Sequence, residues 1–209
     1  VYDALIAEVD GYAGSVIGFS GDAITCWFDD AFLLRECLSD NTETQQGDTN
    51  FRPGEAPSGA LRAVTCALAI NRAMQQFAAI QIPGQGEFTL QVKVAVASGP
   101  VSRFVVGNPD HQLIDVAAGD TMLRMAEAEK LAPRGQVVVD ERTGAILGEN
   151  LLFADWLAST NGRFALIQEL KQGAPLTPWP PLAAGALSED QLRPWLLPAV
   201  YDRLCVGLG

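Results

Sequence analysis

A tight turn between two strand-like runs is the sequence feature that most constrains the fold of this chain. Residues 15–19 and 23–28 are rich in β-branched and aromatic side chains, and Ser20-Gly21-Asp22 separates them. Glycine readily takes the positive φ of a short hairpin turn, so the pattern predicts an antiparallel hairpin with Asp22 at its tip. A carboxylate on such a tip is well placed to hold a divalent ion beside a phosphate chain, although Gly-Asp is also typical of an ordinary turn.

Helical and strand-like patterns alternate along the rest of the chain. A helix is predicted before the hairpin, ending near Asp10-Gly11, and a long polar loop is predicted from Ser39 to Gly59. The later predicted elements are helix 60–79, strand 88–97 turned by Ser98-Gly99-Pro100 into strand 101–106, extended piece 113–116, helix 120–131, and strands 136–140 and 163–170. This order predicts an α+β fold in which helices cover one face of an antiparallel sheet.

Composition excludes several classes of protein. The chain has 209 residues with 25 acidic and 14 basic side chains, a net charge of -11, and no basic run that would bind nucleic acid. Its apolar runs are far shorter than the roughly 20 residues that span a bilayer, so no membrane segment is predicted. A single histidine and four cysteines without a C-x-x-C pair argue against a zinc site and a disulfide framework. We therefore expect a soluble, cytoplasmic globular domain.

Several segments, taken in order, resemble the catalytic domain of class III adenylyl and guanylyl cyclases. Residues 13–25 (AGSVIGFSGDAIT) resemble the metal-binding hairpin of that family, written roughly as GG, two or three residues, and K-F-x-G-D-A. The later matching segments are residues 90–99 (LQVKVAVASG), Gly107 with residues 113–122 (LIDVAAGDTM), and residues 132–139 (APRGQVVV). The resemblance implies the ferredoxin-like class III nucleotide cyclase fold, with a mainly antiparallel sheet covered by helices.

The resemblance also assigns roles to residues of the hairpin. Asp22 takes the place of the second of two aspartates that hold Mg²⁺ (or Mn²⁺) in the family, and Phe19 and Gly21 take nucleotide-binding places beside it. The first aspartate belongs to an opening strand written roughly FxDIxGFT, which is absent here. The chain is therefore expected to be an N-terminally incomplete cyclase-like domain at residues 1–146, followed by an extension or linker at residues 147–209.

Three positions depart from the family pattern. Gly18 stands where the family has the lysine that reads adenine, four residues before the metal aspartate. Leu123 and Glu127 stand where the family has the asparagine and arginine that stabilise the transition state, four and eight residues after Gly119. Leucine cannot donate a hydrogen bond to ribose, and glutamate would repel the triphosphate that an arginine should bind.

These departures together imply a first-half domain of a tandem cyclase. In the family, active sites form between two cyclase domains, of which the first supplies the metal aspartates and the second supplies the remaining groups. Residues 192–204 are similar to the segment that joins the two domains in tandem proteins of the soluble, bicarbonate-responsive type. The implied partners are a second cyclase domain, in cis or as a dimer, and a nucleoside triphosphate, ATP or GTP. The isolated chain contains no complete catalytic set and is predicted to be inactive.

Two alternatives remain open at this stage. The same departures would fit a degenerate, non-catalytic cyclase-fold module that regulates or dimerises. The chain could also be an unrelated acidic α+β binding domain, and a sheet order other than ferredoxin-like would decide for that interpretation.

Overall fold

The computed structural model describes residues 1–30, 57–84 and 86–207. Its helices are α1 (Tyr2–Gly11), α2 (Gly59–Ala73), α3 (Asp120–Leu131), α4 (Glu141–Leu147), α5 (Glu189–Leu192) and α6 (Pro198–Cys205). Its strands are β1 (Ser15–Ser20), β2 (Ala23–Trp27), β3 (Ile80–Ile82), β4 (Gly86–Phe88), β5 (Val94–Val96), β6 (Ser102–Asn108), β7 (Gln112–Ala118), β8 (Val137–Asp140), β9 (Leu151–Ser159) and β10 (Gly162–Leu170). This mixed composition confirms the predicted α+β class.

The first half of the described chain follows the local sequence patterns closely. The predicted hairpin is confirmed as β1 paired antiparallel with β2. The helix predicted at 60–79 begins one residue earlier, where Ser58 accepts a hydrogen bond from the backbone N–H of Leu61, and continues after Ala73 only as a 3₁₀ turn over Met74–Phe77. Most of the predicted loop from Ser39 to Gly59 lies outside the described residues.

The main sheet has four strands in the order β5-β8-β10-β9. Strands β5 and β8 are parallel, and β10 is antiparallel to both of its neighbours. The other described strands form the hairpins β1–β2, β3–β4 and β6–β7.

The second predicted hairpin is wrong. Of the continuous strand predicted at 88–97, only Phe88, the last residue of β4, and β5 are in strands. The strand after Ser98-Gly99-Pro100 pairs forward with β7 instead of back with β5. Gly99 has a φ of +149°, and a Cβ atom there would lie 2.7 Å from the Thr121 hydroxyl oxygen. The turn therefore packs closely against the start of α3 and leads the chain out of the sheet.

Two compact units divide the described chain. One comprises Val1–Gly99 and Thr121–Trp179, and contains the main sheet, the β1–β2 hairpin and helices α1, α2 and α4. The other comprises Pro100–Asp120 and Pro180–Gly209, and contains the β6–β7 hairpin and helices α5 and α6. The predicted boundary after residue 146 stays a prediction; on its C-terminal side, β9 and β10 pair into the main sheet.

The first unit holds the buried core. One cluster packs α2 against the main sheet through Val64, Val137, Val139 and Ala165. A second cluster packs α1 against α2 through Leu5, Val9 and Ile70, with side chains of β1, β2 and β5 against it. A helix that could cross a bilayer is not found anywhere in the described ranges, none of them being both long and apolar enough.

Candidate functional site

The tip of the β1–β2 hairpin presents a carboxylate to solvent. Ser20 pairs with Ala23 in the hairpin register, so Gly21 and Asp22 form the turn, and Gly21 has the positive φ of +62° that such a turn favours. Asp22 is exposed, and no described residue forms a hydrogen bond or ion pair with its side chain. The predicted position of Asp22 at the hairpin tip is thus confirmed, and its carboxylate oxygens are available to a ligand.

Aromatic rings lie beside this turn. The Phe19 ring is 62% exposed and meets the Tyr2 ring edge-on, with centroids 5.8 Å apart. The Tyr2 hydroxyl donates a hydrogen bond of 3.4 Å to the carbonyl oxygen of Gly21. The first turn of α1 therefore supports the hairpin tip, a contact that sequence reasoning missed because Tyr2 and Gly21 are distant in sequence.

Gly18 lies in β1 opposite Thr25, next to an irregularity in the strand register after Val16. A Cβ atom added at Gly18 would meet no other atom within 4 Å. Packing therefore does not require glycine here, and the absence of the family's lysine is not forced by the fold.

The base of the same hairpin is held from inside the protein by Arg62 of α2, which is fully buried. Its guanidinium donates hydrogen bonds to the carbonyl oxygens of Tyr12 and Ala13, just before β1, and of Asp29, just after β2. Burial lowers the pKa of Arg62, and the nearby carboxylates of Asp30 and Asp29 oppose that shift. Sequence reasoning missed this residue, although its spacing of four and eight residues from the buried Cys66 and Ile70 places it on their face of the helix.

The two remaining predicted positions lie on α3 and not on the hairpin. The Leu123 side chain is 72% exposed, so its outward orientation matches that of a residue that would touch a partner. The Glu127 side chain is only 17% exposed, and its carboxylate forms an ion pair with Lys130 Nζ at 3.3 Å. Neither side chain supplies the donor that the family has at that position.

A buried polar network fixes the start of α3. Arg124 Nε donates to Asp140 Oδ2 at 2.8 Å, and a second guanidinium nitrogen donates to the carbonyl oxygen of Ser98 at 2.9 Å. The other carboxylate oxygen of Asp140 accepts hydrogen bonds from the backbone N–H and the hydroxyl of Thr143, and Asp140 is thereby the N-cap of α4. The network joins the ends of the parallel strands β5 and β8 to two helices.

Only some of the side chains described above could serve as ligands to a metal ion. Magnesium is typically bound by one or two carboxylates together with phosphate oxygens and water. Asp22 fits one such ligand position, because it is exposed and unpaired within the described chain. Across the described ranges, no three His, Cys, Asp or Glu side chains form a cluster that would bind a metal. Within the described residues Asp22 thus fits a single ligand position, and its role in metal binding stays a prediction.

The structure resembles solved nucleotide cyclase domains. It matches the guanylyl cyclase Cya2 with a TM-score of 0.61 at 16% identity, over 85% of this chain and 81% of that one. It matches a non-canonical dimeric guanylyl cyclase domain of the RhoGC fusion protein from the aquatic fungus Blastocladiella emersonii with a TM-score of 0.56 at 17% identity, over 82% of this chain and 78% of that one. It matches the adenylyl cyclase CyaB from P. aeruginosa with a TM-score of 0.54 at 12% identity, over 82% and 80%.

The chain therefore has the α+β, ferredoxin-like fold of class III cyclase catalytic domains, as its motifs predict. No protein-family model matches the sequence, and no curated protein matches it. The alternative of an unrelated α+β binding fold is excluded, while the roles of individual residues stay predictions.

Proposed function

We propose that this chain forms one half of a class III nucleotide cyclase active site, which converts ATP or GTP to the 3′,5′-cyclic nucleotide and pyrophosphate when a complementary cyclase domain is bound. The observation that carries the proposal is the exposed, unpartnered carboxylate of Asp22 at the turn of a supported hairpin, in a chain with the cyclase fold. We place this activity in the cytoplasm, in intracellular signalling.

In the proposed reaction the ribose 3′-oxygen forms a bond to the α-phosphorus, its proton is released, and the bond to the β-phosphate breaks. Magnesium ions, when bound, would offset phosphate charge and favour ionisation of the 3′-hydroxyl. Asp22 would provide a ligand to those ions, and Gly21 beside it, which lacks a side chain, would leave room for phosphates. Phe19 would contact the nucleotide with its exposed ring.

A second cyclase domain is needed because the two positions of α3 that the resemblance singles out offer no donor to the nucleotide. Leu123 is apolar, and Glu127 carries the same sign of charge as the triphosphate. The β6–β7 hairpin supports pairing, since its register places four exposed apolar side chains on one face: Phe104, Val106, Ile114 and Val116. One structural neighbour is described as a non-canonical dimeric guanylyl cyclase domain, although the guanylyl cyclase domain of the same protein is also described as monomeric. Both guanylyl and adenylyl cyclases are among the structural neighbours, so the choice between ATP and GTP as the substrate stays open.

The test uses the chain together with its complementary cyclase domain. Purified protein is assayed for cyclic nucleotide formation from ATP and from GTP in the presence of Mg²⁺ or Mn²⁺. We expect Asp22→Asn to lower turnover by at least about 100-fold, because it removes a charged metal ligand, with no change in melting temperature. Asp202→Asn, on the exposed surface of α6, is the matched control and should leave turnover unchanged. Unchanged turnover in Asp22→Asn, or no cyclic nucleotide from either substrate, would overturn the proposal.

A second candidate function is a non-catalytic cyclase-fold module that regulates or dimerises. It is favoured by the exposed leucine at position 123 and by the pairing of Glu127 with Lys130 inside the same helix. In that case Asp22→Asn would leave both turnover and Mg²⁺ affinity of the paired protein unchanged. Isothermal titration with Mg²⁺ and a 3′-deoxynucleoside triphosphate, which lacks the attacking hydroxyl and cannot cyclise, separates the two candidates even when turnover is low.

A further inference from the structure

The buried guanidinium of Arg62 connects both ends of the β1–β2 hairpin to one helix. One terminal nitrogen donates to the carbonyl oxygens of Tyr12 at 3.1 Å and Ala13 at 2.8 Å, and the other donates to the carbonyl oxygen of Asp29 at 2.6 Å. These acceptors precede β1 and follow β2, so a single side chain spans the whole base of the hairpin.

The backbone at this base is unusual. Ala13 has a φ of +51°, and it is the one non-glycine residue with positive φ in the described ranges. This conformation is disfavoured for alanine, so it persists only where surrounding contacts fix it. The hydrogen bond from Arg62 to the Ala13 carbonyl is such a contact. Next to it, a Cβ atom at Gly14 would lie 2.6 Å from the Phe28 ring, so the base is also tightly packed.

Only arginine can make this connection. Its planar guanidinium presents five N–H donors in a fixed arrangement, whereas a lysine ammonium is a single point on a flexible chain. Arg62 also lies 6.0 Å from the centre of the Phe28 ring, which follows β2. Three main-chain carbonyls and one ring therefore fix the guanidinium plane, and the plane in turn fixes the two chain segments.

A small rotation at the base of the hairpin therefore displaces the tip of the hairpin by a larger distance. Strand β2 has five residues, and at about 3.3 Å per residue its tip lies about 16 Å from the base. A rotation of about 5° at the base would move Asp22 by more than about 1 Å, which is enough to impair a metal or phosphate contact. We propose that Arg62 is a positioning residue, which sets the place of the Asp22 carboxylate by fixing both ends of the hairpin. The effect of Arg62 on catalysis rests on the proposed function, whereas its effect on the position of the hairpin does not.

The test compares Arg62→Lys and Arg62→Met with the wild type in the paired protein, by amide hydrogen–deuterium exchange. We expect exchange to rise at least about tenfold in residues 15–27 and to stay unchanged in β8 and β10, because the main sheet does not depend on this contact. Arg72→Lys is the matched control. It lies on the same helix, is exposed, and donates only within its helix, to the Leu68 carbonyl, so it should change nothing.

A second measurement separates positioning from general stability. In the active paired protein, Arg62→Lys should raise the Mg²⁺ concentration needed for half-maximal rate by at least about threefold while the nucleotide KM changes less than about twofold. Uniform acceleration of exchange across all strands, failure of both variants to fold, or no change in the hairpin would each overturn the inference. If the paired protein makes no cyclic nucleotide, the proposed function fails, and the exchange pattern still decides the role of Arg62.

Discussion

The β1–β2 hairpin and the start of α3 carry the two groups of residues to which the cyclase resemblance assigns catalytic positions, and they differ in the chemistry that they present. The hairpin keeps its carboxylate, Asp22, exposed above a base held by Arg62. The start of α3 is held just as firmly, through Arg124 and Asp140, yet its outward residue at position 123 is an apolar leucine. Similar buried supports therefore lie beneath a charged residue in one region and an apolar residue in the other.

This difference has a practical consequence for experiments. Variants of the supports change stability at both places, whereas variants of the exposed residues should change only binding or turnover. Stability and chemistry can thus be measured separately in each region. The following predictions run from the largest expected effect to the smallest.

Removing the carboxylate beneath α3 should be the most damaging change. Asp140→Ala leaves the Arg124 guanidinium, whose side chain is 12% exposed, without its buried ion pair and removes the cap of α4. We expect the free energy of unfolding to fall by about 3–5 kcal/mol, measured by urea denaturation. Glu141→Gln is the control, since its pair with Arg163 is 3.7 Å long and more than half exposed, and it should lose less than about 0.5 kcal/mol. A loss below about 1 kcal/mol for Asp140→Ala would show that the network does not support α3.

The stability of the hairpin region should depend on alkaline pH through Cys26 of β2. Burial raises the pKa of the Cys26 thiol to about 11. The unfolded thiol loses its proton at lower pH than the folded one, so the free energy of unfolding should decrease between about pH 9 and pH 11, by up to roughly 2–3 kcal/mol.

The matched measurement is guanidinium denaturation at several pH values in wild type and Cys26→Ala. The variant should lose part of the pH slope, and Cys66 and Tyr12 are expected to contribute to the remainder, because burial also raises the pKa of each. Identical slopes in the two proteins would contradict the prediction.

The contact at the hairpin tip should have a modest effect. Tyr2→Phe removes the hydroxyl that donates to the Gly21 carbonyl but keeps the ring against Phe19. We expect a loss of about 0.5 kcal/mol in thermal unfolding, since the bond is long and exposed. Tyr2→Ala removes the ring contact as well and should lose about 1 kcal/mol more. Equal losses in both variants would show that the ring contact adds nothing.

The exposed position on α3 should be the least sensitive. Leu123→Asn restores the residue type of the family, and because the side chain is 72% exposed we expect less than about 0.5 kcal/mol of change in unfolding free energy. Leu147→Asn in α4, where the side chain is 9% exposed and belongs to the core, should lose at least about 2 kcal/mol under the same conditions. A large loss in Leu123→Asn would mean that the described surface is covered in solution.

Local patterns predicted the elements that depend on neighbours in sequence. The β1–β2 hairpin follows from its glycine turn, and α3 follows from the helical spacing after Gly119. The parallel pairing of β5 with β8 could not be predicted in this way, because no local pattern identifies a partner so distant along the chain. For the same reason the turn at Gly99 suggested a hairpin that does not exist.

The residues of the candidate site also differ in whether the local sequence could predict them. Asp22 was predictable because a turn and a carboxylate are adjacent in sequence, and the family resemblance then gave it a role. Arg62 was not, since an arginine in a helix is ordinarily solvated and only the folded backbone brings three carbonyl oxygens to it. The partly buried state of Glu127 likewise depends on packing that the sequence does not display.

The parallel pairing of β5 with β8 also determines which parts of the chain can fold first during synthesis on the ribosome. The β1–β2 hairpin and helix α2 emerge early and can form from local contacts, whereas β5 has no partner until β8 has been made. Asp140 is the last residue of β8, so the Arg124 guanidinium of α3 cannot form its ion pair until Asp140 has been synthesised. Folding of the nascent chain is therefore expected to reach its native sheet only after β8 leaves the exit tunnel.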